Sequence, residues 1–191
     1  DGSAIMVWTD DINLDNSDLD LFAQRIDANC NTLWTAPDEG GVPICTHENV
    51  QQYAKVTYYS ETISVIVWED RRNNPNAGDV YAQFVSMNGD IDDLAGIPIC
   101  IDESVQIKPR IKASPSGAHI VWEDKRNMIS DIYAQLLTID GGVQWQDNGI
   151  AVCSANGAQD QPRLTTDNSG GAYYVWMDER YNSFPETEIF L

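Results

Sequence analysis

The segment with the clearest chemical potential is an acidic stretch near the N-terminus, over residues 10–20. Within it, Asp11, Asn13, Asp15 and Asp18 follow one another at an alternating spacing. Oxygen ligands spaced in this way can wrap around Ca²⁺, although the stretch lacks the central glycine and the terminal glutamate of an EF-hand loop. Two interpretations stand: an irregular loop that binds Ca²⁺ as a cofactor, or a solvated acidic loop.

A second set of residues combines an aromatic ring, a carboxylate and a guanidinium. Four tryptophans recur at intervals of 60, 54 and 54 residues, each with an aspartate two positions later, and in three cases an arginine follows. Such a group could bind a sugar, or the tryptophan could pack between repeats while the aspartate and arginine hydrogen-bond a turn. Packing contacts are needed in every repeat and ligand sites are not, which favours the structural interpretation. The residues are Trp8, Trp68, Trp122 and Trp176; Asp10, Asp70, Asp124 and Asp178; and Arg72, Arg126 and Arg180, with Ile12 in the arginine position of the first repeat.

Cysteine recurs at one position of the repeat, as Cys45, Cys100 and Cys153. No paired Cys/His spacing indicates zinc, and equivalent positions in neighbouring repeats lie too far apart for the Cα separation of about 4.4–6.8 Å that a disulfide requires. We therefore predict buried thiols that act as small hydrophobic residues. Cys30 instead stands where other repeats place glycine, and is predicted to be an exposed thiol or to bond a partner outside the chain.

No catalytic residue is predicted. The two histidines, His47 and His119, have no catalytic motif around them, and the chain lacks nucleophile-elbow, zinc-protease and phosphate-loop motifs. A glycosidase needs two carboxylates at a defined separation across a cleft. With 30 aspartates and glutamates in the chain, sequence proximity identifies no such pair.

Four short β-rich runs per repeat must position these residues. They are a Gln-x-x-Pro-Arg-like start, an apolar run into tryptophan, an Asp-aliphatic-aromatic-Ala-Gln run, and a Gly-x-x-aliphatic-Cys run, which we name strands A to D. No window has helical periodicity. Four strands in about 50 residues are typical of one β-propeller blade.

The prediction is therefore an all-β fold, a single β-propeller segment of about three and a half four-stranded antiparallel blades. The chain should begin in a B strand and end in a C strand, giving 14 strands. Because propellers close with about four to eight blades, the segment is expected to belong to a larger ring or assembly. The B–C loops vary in length, which marks their face for binding; they cover residues 11–19, 71–78, 125–130 and 179–187, within repeat units of approximately 1–50, 51–105, 106–158 and 159–191.

The charge balance excludes several partners. Eleven lysines and arginines against 30 acidic residues give a net charge of −19, so nucleic acid is not expected to bind. No apolar run approaches the roughly 20 residues of a membrane span, so no membrane insertion is predicted.

The W-x-D-x-R, D-[IV]-Y-A-Q and G-x-x-[IV]-C motifs resemble the tandem β-propeller repeats of large secreted or surface-exposed proteins of the Bacteroidetes. They are more distantly similar to the Asp-box repeats of sialidase-like propellers, but the Ser-x-Asp-x-Gly-x-Thr-Trp order is absent. The resemblance implies a bacterial protein with an extracellular or cell-surface location and an adhesive role.

Three functional hypotheses follow. The first is a non-catalytic extracellular module, a structural or adhesive scaffold or protein-interaction surface. Its partners would be other blades of a longer chain or further copies, and also surface glycans or proteins. The second is a lectin-like, carbohydrate-binding propeller that depends on calcium. The third is a fragment of a sialidase-like or other glycoside hydrolase whose active site lies on other blades.

Overall fold

The computed structural model describes residues 2–11, 18–35 and 41–180, and the backbone of residues 188–190. All regular elements in these residues are β-strands, and they number 14, as the sequence predicts. None of the described residues forms a helix that could cross a membrane. The strands are β1 (Ala4–Asp10), β2 (Asp20–Ile26), β3 (Val42–Cys45), β4 (Gln51–Tyr58), β5 (Ile63–Asp70), β6 (Asp79–Ser86), β7 (Ile97–Cys100), β8 (Gln106–Ser114), β9 (Gly117–Asp124), β10 (Asp131–Leu137), β11 (Ile150–Cys153), β12 (Gln159–Thr166), β13 (Ala172–Asp178) and β14 (Glu188–Phe190).

Consecutive strands pair into four antiparallel sheets. Blade 2 (β4–β7) and blade 3 (β8–β11) have four strands each, while blade 1 (β1–β3) lacks strand A and blade 4 (β12–β14) lacks strand D among the described residues. The chain thus enters in a B strand and its last described strand is a C strand. This arrangement confirms the all-β fold built from propeller blades.

The B strands of blades 2 and 3 are buried on both faces, because each of these two sheets has a neighbouring blade on either side. All eight residues of β9 are buried, as are seven of the eight in β5. A cluster of buried side chains, including Val67, Ile120 and Trp122, joins blade 2 to blade 3. Long apolar runs into each tryptophan are therefore the sequence signature of a strand covered from two sides.

The A strands lie beside one another, since β4 contacts β8 and β8 contacts β12. Each has a β-bulge between its second and fifth residues, where the pairing with the B strand shifts register. The third residue of each strand, within the bulge, has a left-handed backbone, with φ of 57° at Tyr53, 54° at Lys108 and 54° at Gln161. A bulge re-aims the side chains that follow it, so the Gln-x-x-Pro-Arg motif is the sequence of a bulged strand.

In blades 1 to 3, the ring of the repeated tryptophan requires a glycine just before the D strand of its own blade. A Cβ on Gly149 would lie 2.4 Å from Cη2 of Trp122, and a Cβ on Gly96 would lie 2.6 Å from the same atom of Trp68. Both glycines also have positive φ. The recurrence of glycine at the start of the Gly-x-x-aliphatic-Cys run is thus explained by direct contact of the tryptophan ring with the backbone.

We predict that Gly149→Ala destabilises the fold by about 2 kcal/mol more than Gly141→Ala, because only the former forces an overpacked ring contact. The two glycines share a φ of +81°, but a Cβ on Gly141 would meet only the Cδ1 atom of Ile97, at 3.5 Å. Urea unfolding of both variants measures the difference. Equal losses of unfolding free energy would contradict the ring contact as its cause.

Candidate functional site

The Trp-x-Asp-x-Arg residues form one hydrogen-bonded group in blade 2. The Nε1 of Trp68 donates to Oδ2 of Asp70 at 2.7 Å, and the Nη2 of Arg72 donates to the same oxygen at 2.6 Å. The backbone N–H of Arg72 donates to the other carboxylate oxygen at 2.9 Å. Asp70 is fully buried, so its charge is neutralised by donors instead of water.

The cysteine of the preceding blade completes this group. The Sγ of Cys45, in blade 1, lies 3.8 Å from Oδ2 of Asp70 and 3.1 Å from Nη2 of Arg72. Burial, with a further contribution from the Asp70 carboxylate, raises the pKa of Cys45 to about 12. The sulfur is therefore a neutral thiol that can donate to the aspartate. We call this set, the Trp, Asp and Arg of one blade with the Cys of the blade before it, the interblade cluster.

The interblade cluster recurs between blades 2 and 3. Trp122 donates to Oδ2 of Asp124 at 2.9 Å, and Nη2 of Arg126 donates to that oxygen at 2.7 Å. The same nitrogen lies 3.4 Å from the Sγ of Cys100, and the guanidinium stacks 3.9 Å from the ring centroid of Tyr133. Burial again raises the pKa of Cys100 to about 12.

A third copy joins blades 3 and 4. Trp176 donates to Asp178 at 3.0 Å, Nη2 of Arg180 donates to Asp178 at 2.5 Å, and that nitrogen lies 3.1 Å from the Sγ of Cys153. Hydrogen bonds from Arg180 hold the pKa of the Asp178 carboxyl well below its usual range. Sequence reasoning had assigned the cysteines only an apolar role, because nothing in the chain order shows that each lies beside the next blade's aspartate.

In blade 1, Trp8 meets Gly41 in the same ring contact, but Asp10 is exposed and Ile12 lies outside the described residues. Trp68 and Trp122 are fully buried, so their rings offer no platform to a sugar. His119, likewise, contacts the next blade, with its Nδ1 2.9 Å from the hydroxyl of Tyr174.

The predicted calcium ligands are only partly described. Asn13 and Asp15 lie outside the described residues, whereas Asp11 and Asp18 lie close enough to Asp20 for their charges to act on it. Burial first, and then these two carboxylates, raise the pKa of Asp20 to about 6. Within the described ranges no group of three or more His, Cys, Asp or Glu side chains is placed to hold a metal. Calcium binding stays a prediction.

One set of candidate functional residues was not predicted from the sequence. Lys55, Arg110 and Arg163 each occupy the fifth position of an A strand, and these strands lie side by side. Burial, then the charges of the two arginines, lower the pKa of Lys55. The sequence does show a basic residue at the same position of three repeats. That these three residues lie near one another becomes visible only when the blades are stacked.

The comparisons with known proteins concern the fold. No protein-family model and no curated protein matches the chain. Among solved structures, an α-L-arabinofuranosidase from Lactobacillus brevis is similar with a TM-score of 0.58 at 10% identity, over 98% of this chain and 65% of that one. An endo-arabinase from Bacteroides thetaiotaomicron has a TM-score of 0.55 at 10% identity, over 99% of this chain and 70% of that one. The chain thus spans slightly less than two thirds of the arabinofuranosidase, and shares its fold.

We predict that alkylation of the native protein with iodoacetamide modifies Cys30 rapidly and leaves Cys45 and Cys100 unmodified until denaturant is added. Cys30 is exposed, whereas the other two are buried and hold few thiolates at neutral pH because their pKa values are raised. Peptide mass spectrometry measures each site, with Cys30→Ser as the control that removes the rapid phase. Rapid modification of Cys45 or Cys100 would contradict the buried cluster.

Loss of the arginine should have a pH-dependent effect on stability. We predict that Arg180→Gln lowers the unfolding free energy by about 1–3 kcal/mol at pH 7, because it leaves the buried Asp178 carboxylate without its main ion-pair partner. A depressed pKa contributes its full stabilisation above the unfolded value of 3.8, and this contribution declines as the pH falls from there towards the lower pKa of the folded state. The difference from wild type should therefore shrink at pH 3.

Urea titrations at pH 7 and pH 3 measure both effects. Lys125→Gln removes the same charge from an exposed neighbouring position in the B–C loop of blade 3 and is the matched control. A difference between wild type and Arg180→Gln that does not change with pH would show that Asp178 is not held ionised by this arginine.

Proposed function

We propose that the chain is a scaffold segment of an extracellular β-propeller, whose rigid stack of blades displays loops to other proteins or to surface glycans. The interblade cluster carries this proposal. Its members have the side chains that are most often used for binding and catalysis. Here their hydrogen bonds instead join one blade to the next.

The open face of blade 4 supports further blades as partners, supplied by a longer chain or by another copy. Tyr173 is 67% exposed there, whereas Val65 and His119, at the equivalent positions of blades 2 and 3, are buried by the blade that follows. A cavity of about 720 Å³ lies along this face, lined by Thr165, Tyr173 and neighbouring residues of β12 and β13. A following blade would cover it as the others are covered.

The second candidate is a segment of a carbohydrate-active or carbohydrate-binding propeller. It is favoured by the two solved structures of similar fold, which are an arabinofuranosidase and an endo-arabinase. They support the glycoside hydrolase hypothesis more than the non-catalytic one. The calcium-dependent, lectin-like form of the proposal would use the B–C loops, including Asp11 and Asp18.

We predict that the purified chain releases no p-nitrophenol from p-nitrophenyl α-L-arabinofuranoside and no reducing sugar from linear arabinan. Substrate incubated without protein sets the background in each assay. Product above that background would contradict the scaffold proposal and support the hydrolase.

A glycan array probed with and without EDTA tests the binding form separately. Binding that EDTA abolishes would support a calcium-dependent lectin. Binding that survives EDTA would support a carbohydrate module without calcium, and no binding to any glycan would overturn the lectin alternative.

A further inference from the structure

Three basic side chains converge where the A strands meet. Lys55, Arg110 and Arg163 are the fifth residues of β4, β8 and β12, and each pairs in register with a valine of its B strand. Because β8 contacts both β4 and β12, the repeat places the three cations along the edge that the A strands form. The convergence follows from the architecture and does not depend on the proposed scaffold function.

Within the described part of the chain, these three side chains have no carboxylate partner. The terminal nitrogen of each donates to the main-chain carbonyl of the residue just before it, at 2.9 Å in all three cases. Lys55 Nζ and Arg163 Nη1 also donate to the main-chain carbonyls of Tyr53 and Gln161, both at 3.4 Å. Within the described residues, no side chain accepts a hydrogen bond from any of the three basic groups, which together carry more donors than these carbonyls use. Other cations of the same chain are ion-paired instead, namely Arg71, Arg72, Lys108, Arg126 and Arg180.

The three charges repel one another. The pKa of Lys55 is lowered by burial and then by Arg110 and Arg163, and the pKa of Arg110 is lowered by burial and then by Arg163. Glu123 is the nearby carboxylate that opposes this effect on Arg110. Its oxygens are occupied by Lys108, at 3.0 and 3.1 Å, and by a backbone N–H of β12 at 2.8 Å. Within the described residues, no ion pair therefore neutralises these three cations, in a protein with a net charge of −19.

The backbone adds a second, independent feature at each cation. The residue two positions before it, in the bulge, holds a left-handed conformation without being glycine: Tyr53, Lys108 and Gln161. Such conformations are strained for residues with a side chain, and they concentrate at functional sites. Here the strain recurs in every A strand, always immediately before the Pro-Arg or Ala-Lys pair that delivers the basic group.

We propose that Lys55, Arg110 and Arg163 form an anion-binding site along the edge that the A strands form, for a ligand that carries a carboxylate or sulfate group. Guanidinium groups match the planar fork of a carboxylate and also bind sulfate oxygens, while the lysine adds a point charge. The exposed ring of Tyr53 stands two residues from Lys55. An exposed aromatic ring in the same strand as the lysine suits an acidic sugar as the ligand, either a uronate or a sulfated saccharide.

Isothermal titration calorimetry of the full chain with sodium sulfate, D-galacturonate and neutral D-galactose tests the site. We expect saturable binding of at least one of the two anions and none of galactose. The anion that binds more tightly identifies sulfate or carboxylate as the ligand chemistry. No saturable binding of either anion, or equal binding of galactose, would overturn the proposal.

Two matched lysine variants distinguish binding at a specific site from general electrostatic attraction of the anion to positive charge. Lys55→Gln should weaken anion binding at least about tenfold, the effect of losing one hydrogen bond to a charged group. Lys112→Gln removes the same charge from an exposed position two residues beyond Arg110 in β8, and should change affinity less than about twofold. Equal losses in the two variants would overturn the proposal.

Arg163→Gln gives a second test at an exposed position of the last blade, where a folding defect is not expected. It too should weaken binding at least about tenfold. Circular dichroism melting of each variant shows that the fold is intact. A folded Arg163→Gln variant with wild-type affinity would contradict the role of the third cation.

Discussion

The stack of blades depends on a buried aspartate whose carboxylate is paired with an arginine and a tryptophan. Asp70, Asp124 and Asp178 end their B strands in places that water does not reach. A buried carboxylate is tolerated only when donors surround it. Tryptophan and arginine of the same blade supply the strong donors, and the thiol of the preceding blade closes the shell. The stability of one blade is therefore tied to the position of the next.

This requirement explains the strictness of the repeat. The tryptophan ring fills the space over a glycine of the D strand, so a side chain cannot be added there. The cysteine four residues further along must reach the next blade's carboxylate, which fixes the length of the D strand. Repeated chemistry at these positions is thus a consequence of packing. Residues on the B–C loops and along the edge formed by the A strands take no part in this packing, so a ligand can bind there.

Much of the architecture could be predicted from the sequence, because strand periodicity and turn residues are local properties. The 14 strands and the entry and exit in B and C strands follow from them. The contact between Cys45 and Arg72, and the convergence of Lys55, Arg110 and Arg163, could not be predicted in this way. Both depend on the angle and distance between blades. The A-strand bulge that orients the cations also contains no glycine, so the sequence does not indicate its left-handed backbone.

The central claim, that the interblade cluster couples one blade to the next, is tested most directly by a double-mutant cycle across blades 1 and 2. Cys45 and Arg72 lie on different blades, with Sγ and Nη2 3.1 Å apart. Unfolding free energies of Cys45→Ala, Arg72→Gln and the double variant give the interaction energy. We predict a coupling of at least about 0.5 kcal/mol, in the range found for residues that share a hydrogen-bond network. Additivity to within about 0.3 kcal/mol would contradict the account.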